Sequence, residues 1–296
     1  MVVRGISTVV DTTLFLLVLG VAVATIAGVP MMTDDDGVDR ADAIAERLST
    51  GTERVNYSLA AAAQSLPGEP PITVTDGPPF ERSAHGTLAS LLADATVATV
   101  TIDGASVSRD GGAFERAVLD ATRPRIRTEN HSVQVSAVWE PYPSAPVTGC
   151  VVVGPTPPPA VDVRAATVTV DVPVPASRDR AITAARQNGY DGVGRVVADA
   201  VVRGIFPPGR AELALRGDYP VNALVAQRYA DAREALGAKP TVPTSGSDVR
   251  AINEDVSNLL AANLADDLRT RYETPVTAAR DVSSGTATIT VRTWSP

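Results

Sequence analysis

Apolar and polar positions along the chain follow two rhythms and one unbroken run, and each predicts a different kind of element. Ile6 to Val29 is almost continuously apolar, and no residue from Thr12 to Thr33 is charged. Roughly 20 apolar residues at ~1.5 Å rise cover a ~30 Å hydrocarbon core, so this run predicts one transmembrane helix. Beyond it, apolar residues recur at helical intervals at Ala41, Ile44, Ala45, Leu48, Val55, Leu59, Ala62 and Leu66. They predict one or two helices over 34–66, with Gly51 as the weak point and Pro67-Gly68 as the stop. Helical spacing returns at Leu88 to Ala95, at Phe114 to Ala121 before Pro124, at Val193 to Ile205 before Pro207-Pro208, and at Val221 to Leu236. A last stripe runs from Val249 to Leu268, with Ser247 as its candidate cap. Alternation with period two marks strands at Val97–Ile102, with Asp103-Gly104 as a turn, and at Val133–Trp139, Val168–Val172 and Thr286–Trp294.

In each of these strands Val, Ile or Ala alternates with Thr, Ser, Gln or Arg, as expected of a sheet with one wet face, whereas parallel strands buried on both faces read as continuous apolar runs. Long amphipathic helices need a surface, and a one-sided sheet supplies it. The expected fold is therefore α+β: a transmembrane helix, then an extracytoplasmic head with one mostly antiparallel sheet and packed helices. The C-terminal strand, which carries Trp294, should be integral to it. The chain divides into a leader and anchor at 1–33, a membrane-proximal helical segment at 34–66 and the head at 67–296. The proline-dense stretch 141–160 reads as an ordered connector and a candidate subdomain boundary.

Charge sets the orientation. Arg4 precedes the apolar run and Asp34, Asp35, Asp36 and Asp39 follow it, which holds the N-terminus in the cytoplasm and places the head outside. A cleaved secretory signal is one alternative, with Ala22-Val23-Ala24 or Ala24 to Ala27 as a small-residue cleavage site, although the run is long for an h-region. A buried core helix is the other, and such runs are seldom found at an extreme N-terminus.

Arg4-Gly5-Ile6 ahead of an apolar run resembles the leader of archaeal type IV pilin-like precursors and TadE-like pseudopilins, in which a prepilin peptidase cuts after a small residue that follows a basic one. Val10-Asp11 stands where such proteins often carry Val-Glu. The acid here is Asp, it falls sixth rather than fifth after the cut, and the leader has a single basic residue. In composition and helix-strand layout the rest of the chain resembles a haloarchaeal family of single-span proteins associated with Tad/type IV pilus-type secretion machinery. The resemblance implies leader cleavage at Arg4, Gly5 and Ile6, and an assembly role for Asp11 through pairing with a neighbouring subunit's new N-terminus. The bland reading of Asp11 is an interfacial carboxylate that snorkels.

The chemistry on offer is sparse. The formal net charge of −8 repels phosphate backbones, so nucleic acid is not an expected partner. Lys239 is the only lysine against a majority of Arg, and Asp, Ala, Val and Thr are plentiful, a composition suited to high salt, where the Debye length at 1 M is only ~3 Å. His85, at an expected helix start, and His131 are the only histidines. With no HExxH, CxxC or GxSxG motif there is no expected catalytic residue, metal or cofactor. Gly189, Gly192 and Gly194 follow no strand and read as a helix start rather than a phosphate loop. Cys150, the sole cysteine, sits in an apolar setting and reads as a small buried hydrophobe, with a free functional thiol as the alternative. Arg123, Arg125 and Arg127 form either intramolecular ion pairs or a basic ridge for an acidic partner. Asp34-Asp35-Asp36-Gly37 fails the EF-hand template, which requires acids at the positions of Met32 and Ala43. Asn56 and Asn130 head N-x-S sequons, which have meaning only on an exported chain.

The expected function is a non-enzymatic, membrane-anchored pilin-like or secretion-apparatus component, whose partners are lipid around the N-terminal helix and secretion-system subunits. The rival is an anchored extracellular enzyme or ligand-binding receptor. A deep pocket with convergent polar groups would favour the rival. An exposed apolar strip along Asp39 to Leu66 would favour assembly, and the strip is the expectation.

Overall fold

The computed structural model of the chain describes residues 36–68, 77–108, 111–243 and 248–295. The expected span, Arg4, Gly5, Ile6, Asp11 and Ser247 lie outside them. No described helix is long and apolar enough to cross a membrane. The described residues from Asp36 onward form one compact unit.

In chain order the elements are α1 (Asp36–Thr50), β1 (Thr52–Ser58), α2 (Ala60–Gln64), β2 (Glu81–Thr87), α3 (Leu88–Ala98), β3 (Thr101–Ile102), β4 (Ala105–Ser106) and α4 (Gly111–Thr122). A 3-10 turn, Arg123–Arg125, leads to β5 (Ser132–Trp139), β6 (Val147–Val153) and β7 (Arg164–Asp171). Then come α5 (Arg178–Ile205), α6 (Pro208–Arg216), α7 (Val221–Ala235), α8 (Val249–Arg271), α9 (Pro275–Arg280) and β8 (Thr286–Trp294). The fold is α+β, with two antiparallel sheets: the hairpin β1-β2, and a six-stranded sheet in the order β4-β3-β6-β5-β8-β7.

The larger sheet has one dry face and one wet face. Val133, Val135, Ala137, Val151, Val153, Ile289 and Val291 project inward. Against them pack Ala41, Ile44 and Leu48 of α1, Leu88, Leu91 and Leu92 of α3, and Phe114 and Val118 of α4. On the opposite face Arg292 donates to Gln134 Oε1 at 3.1 Å and to Ser136 Oγ at 3.2 Å. The C-terminal strand is interior to the sheet: Ile289 pairs with Ala137 of β5 on one side and Val168 of β7 on the other. A second core forms where α5, α7, α8 and α9 meet one end of this sheet at Ile102, Trp139, Val147 and Ala287. Trp139 fastens the junction by donating its Nε1–H to the Ser284 carbonyl at 2.8 Å.

The structure departs from the sequence pattern at several places. The helical stripe over 34–66 is interrupted: it holds to Thr50 and resumes only as the short α2. Gly51 closes the helix with its N–H on the Arg47 carbonyl at 2.8 Å, and the chain then turns into β1, whose alternation buries Val55. The interval of seven from Leu48 to Val55 fits a helix by coincidence. The strip expected to be exposed along Asp39 to Leu66 is instead largely consumed by the core, with Ala41, Ile44 and Leu48 each at 1% exposure or less. The strand expected at Val97–Ile102 shrinks to Thr101–Ile102, because the face of Leu88, Leu91, Leu92 and Ala95 carries α3 on to Ala98. Asp103 and Gly104, both at positive φ, make the hairpin turn that follows. Within the proline-dense stretch 141–160 lies β6, an interior strand.

The glycine cluster of 189–194 lies within α5, at the break where its second helical stretch starts. Gly189, at φ 61° and ψ −145°, kinks the helix. Gly194 lets α8 approach: a Cβ there would stand 2.7 Å from the Ala261 carbonyl oxygen. His85 belongs to a strand, β2, opposite Arg54, and not to a helix start. Cys150 is exposed on the wet face of β6, because period two turns it away from buried Val151.

Candidate functional site

The concave feature that combines an apolar floor with converging charged groups lies between the second half of α3, the C-terminal end of α5, and helices α6 and α7. It is a cleft of about 500 Å³, within the range of small-molecule sites. Val97, Ala98, Ile205, Ala214 and Val225 supply apolar lining, and Asp94, Arg210 and Arg228 supply charge.

Local sequence explains how these groups arrive together. Asp94 lies on α3, which the Thr87 hydroxyl caps by accepting from the Ser90 N–H at 3.1 Å. Pro207-Pro208 ends α5 and opens α6 with a proline in its first turn, turning the chain sharply enough to bring Phe206 and Arg210 to the same cleft. Phe206 is held from two sides. Its ring stacks on Tyr229 at a centroid distance of 4.1 Å, and its carbonyl accepts from Asn253 Nδ2 at 3.0 Å. The Tyr229 hydroxyl donates to Asn253 Oδ1 at 2.7 Å, closing the loop of contacts. Burial holds that hydroxyl above its ordinary range, so it stays a donor. Arg228 lies with its guanidinium carbon 5.7 Å from the Phe206 ring centroid, a cation–π arrangement. Desolvation by the cleft walls raises the Asp94 carboxyl above its ordinary value, and the positive charge of Arg210 opposes the rise.

Two other hollows are built differently. A groove of about 570 Å³ between α5, α6 and α8 is lined by Asp199, Arg203, Glu212, Arg250 and Glu254. Much of that charge is already paired, with Arg203 on Asp199 at 3.0 Å and Arg216 reaching Glu212 at 3.4 Å. A shallow hollow of about 370 Å³ gathers Arg123, Arg127 and His131 at the start of β5. There Arg40 Nη1 stands 2.8 Å from His131 Nε2. Arg123 pairs with Asp120 at 2.8 Å and Arg125 with Glu53, while the Arg125 carbonyl also accepts from Arg47. The Arg run thus divides between intramolecular pairs and the rim of this hollow.

The two sequons are exposed: Asn56 on β1 opposite Ser83, and Asn130 in the loop before β5. They are not brought together with the cleft, and neither is His85, His131 or Cys150. Among the described residues no group of three His, Cys, Asp or Glu side chains is placed to hold a metal ion. Asp94, Arg210 and Arg228 were not singled out by sequence reasoning, and only the Phe206-Pro207-Pro208 break between two helical stripes marks their neighbourhood.

The chain belongs to a family of unknown function, DUF7284, whose model matches residues 10–294. No curated protein and no solved structure matches it.

Proposed function

We propose that this chain is a membrane-anchored extracytoplasmic protein, a pilin-like or secretion-apparatus component whose N-terminal segment is both anchor and assembly element. The observation that carries the reading is the uncharged stretch from Thr12 to Thr33, with Arg4 before it and an Asp cluster after it. The Arg4-Gly5-Ile6 leader and the acid at Asp11 support it further. A carboxylate in the first turns of a span costs up to ~3 kcal/mol at the bilayer centre and less near the interface, and is usually retained for a partner. Because Ala41, Ile44 and Leu48 are committed to the core of the head, association through the N-terminal segment is the reading favoured over association through α1.

The test is Asp11→Asn in the native host. Membranes extracted at high salt are passed over the tagged protein, and bound partners are identified by mass spectrometry. The wild type should retain secretion-system or pilus subunits and the variant should lose most of them at unchanged abundance in the membrane. The same partner set for both proteins would overturn the pairing role of Asp11, and absence of the wild-type chain from the membrane fraction would overturn the anchor.

A further inference from the structure

The larger sheet ends on one side in a long open edge. β7 is its outermost strand, and among the described residues β8 is the only element whose backbone pairs with it. Its residues pair with β8 without a break in register, so no bulge turns the edge away. β7 carries no proline or lysine, and no charge between Arg164 and Asp171, so it lacks the devices that commonly keep edge strands from pairing. A strand of this length presents about 27 Å of backbone at ~3.4 Å per residue, with alternate residues aiming N–H and C=O groups outward. On its wet face Ala165, Thr167 and Thr169 are exposed, and on its dry face Val168 and Val170 are only half-buried against the α1 and α3 layer.

From this edge we infer that β7 is the seam of a two-fold dimer, in which β7 of a second copy of the chain adds antiparallel and joins the two sheets into one. The inference is independent of how the chain is anchored. The pattern of charge on the strand selects its own copy as the occupant: an antiparallel pair brings the Arg164 end of each strand beside the Asp171 end of the other, and nothing charged opposes a like charge between them. Dry face continues into dry face only when the axis stands normal to the sheet, which sets residues of the same parity opposite one another. With Val168 on the axis, Thr167 meets Thr169 of the second copy and Ala166 meets its Val170, so the polar row and the aliphatic row both run on across the seam. Centring on Thr167 instead would set Val170 against Arg164. So short a seam falls below the ~1,600 Å² of a standard interface, and the association is therefore weak and concentration-dependent. At the opposite edge β4 is two residues long, which offers no second seam, and assembly closes at two copies.

The experiment uses the full-length chain in detergent, with Cys150→Ser as the background so that the exposed native thiol cannot cross-link. In sedimentation velocity the protein mass should rise with concentration from one chain to two and stop there. Thr167→Lys with Thr169→Lys, both at exposed positions, sets like charges across the seam and should weaken association about tenfold or more at ~0.15 M salt. Mixing that variant with one carrying Thr167→Asp and Thr169→Asp should restore dimers of mixed composition. Circular dichroism of each variant establishes that it is folded. The register is read by cross-linking in high salt: a chain with Thr167→Cys and a chain with Thr169→Cys, mixed under oxidation, should form a disulfide-linked pair. Either variant alone sets its thiols diagonally, with Cα atoms ~8 Å apart, beyond the reach of the bond. A monomer at every concentration, a dimer that survives the paired Lys substitutions as association through the N-terminal segment would, or cross-linking of either cysteine variant alone as readily as of the mixture would each overturn the inference.

Discussion

Ile289→Ala puts the one-sided sheet to a quantitative test. Ile289 is 1% exposed in β8, flanked by Ala137 on β5 and Val168 on β7, and its side chain meets the α1 and α3 layer. The substitution removes three carbons, about 2.4 kcal/mol of transfer free energy at ~0.8 kcal/mol per buried methylene. The cavity left in an interior strand brings the expected loss to roughly 2–5 kcal/mol. The adjacent Thr288 faces solvent, so Thr288→Ala forfeits only strand propensity, about 1 kcal/mol or less. Trp139 and Trp294, the chain's two tryptophans, are both buried in the larger sheet. Their fluorescence during guanidinium titration therefore reports loss of that sheet. The midpoint should fall clearly for Ile289→Ala and little for Thr288→Ala at unchanged slope. Equal shifts for the two variants would refute the assignment of dry and wet faces.

Two further outcomes follow from the packing and from the cleft. At Gly149 a Cβ would stand 1.9 Å from the Thr96 carbonyl oxygen, a backbone atom that moves only with α3, so Gly149→Ala should cost about 1–3 kcal/mol or more; a thermal midpoint equal to that of the wild type would contradict the close contact of α3 with β6. Asp94, raised above its ordinary value by desolvation, binds a proton more readily folded than unfolded. Its contribution therefore favours the folded state at acid pH and is lost as the pH rises through the raised value. Asp94→Asn should accordingly improve stability relative to the wild type near neutral pH and lose that advantage below the ordinary carboxylate range, measured by unfolding midpoints across a pH series. A wild-type advantage that grows toward neutral pH would show the Arg210 attraction to be dominant.

Much of the fold was legible because period and burial agree. The alternation at Val133–Trp139 and Thr286–Trp294 marks the strands, and the stripes from Val193, Val221 and Val249 mark α5, α7 and α8. The misreadings fall where two periods share residues. Val55 satisfies a seven-residue helical interval and a strand alternation equally, and only the closure at Gly51 separates them. Val97 and Val100 are spaced as a helix while their neighbours alternate as a strand. β6 was hidden by its surroundings: Val151-Val152-Val153 reads as an apolar run between prolines, and nothing local reveals that Cys150 and Val152 face outward. Of the cleft only the Phe206-Pro207-Pro208 break was legible. Asp94, Arg210 and Arg228 are over a hundred residues apart at their extremes, and each is an ordinary surface charge until α3, α6 and α7 are set against one another.

The central claim, that an N-terminal span carries this α+β unit on the outside of the cell, meets its most direct test at Cys150. It is the only cysteine and is exposed on β6. Desolvation and the nearby Glu115 hold its thiol above the ordinary range, so labelling is run at mildly alkaline pH, where more of the reactive thiolate is present. Intact cells are treated with a membrane-impermeant maleimide, and the tagged chain is then recovered from membrane and soluble fractions, with the purified folded protein as a reactivity control. The account expects Cys150 to be labelled without lysis and the labelled chain to be in the membrane fraction. Labelling only after lysis, or recovery of the chain in the soluble fraction, would contradict it.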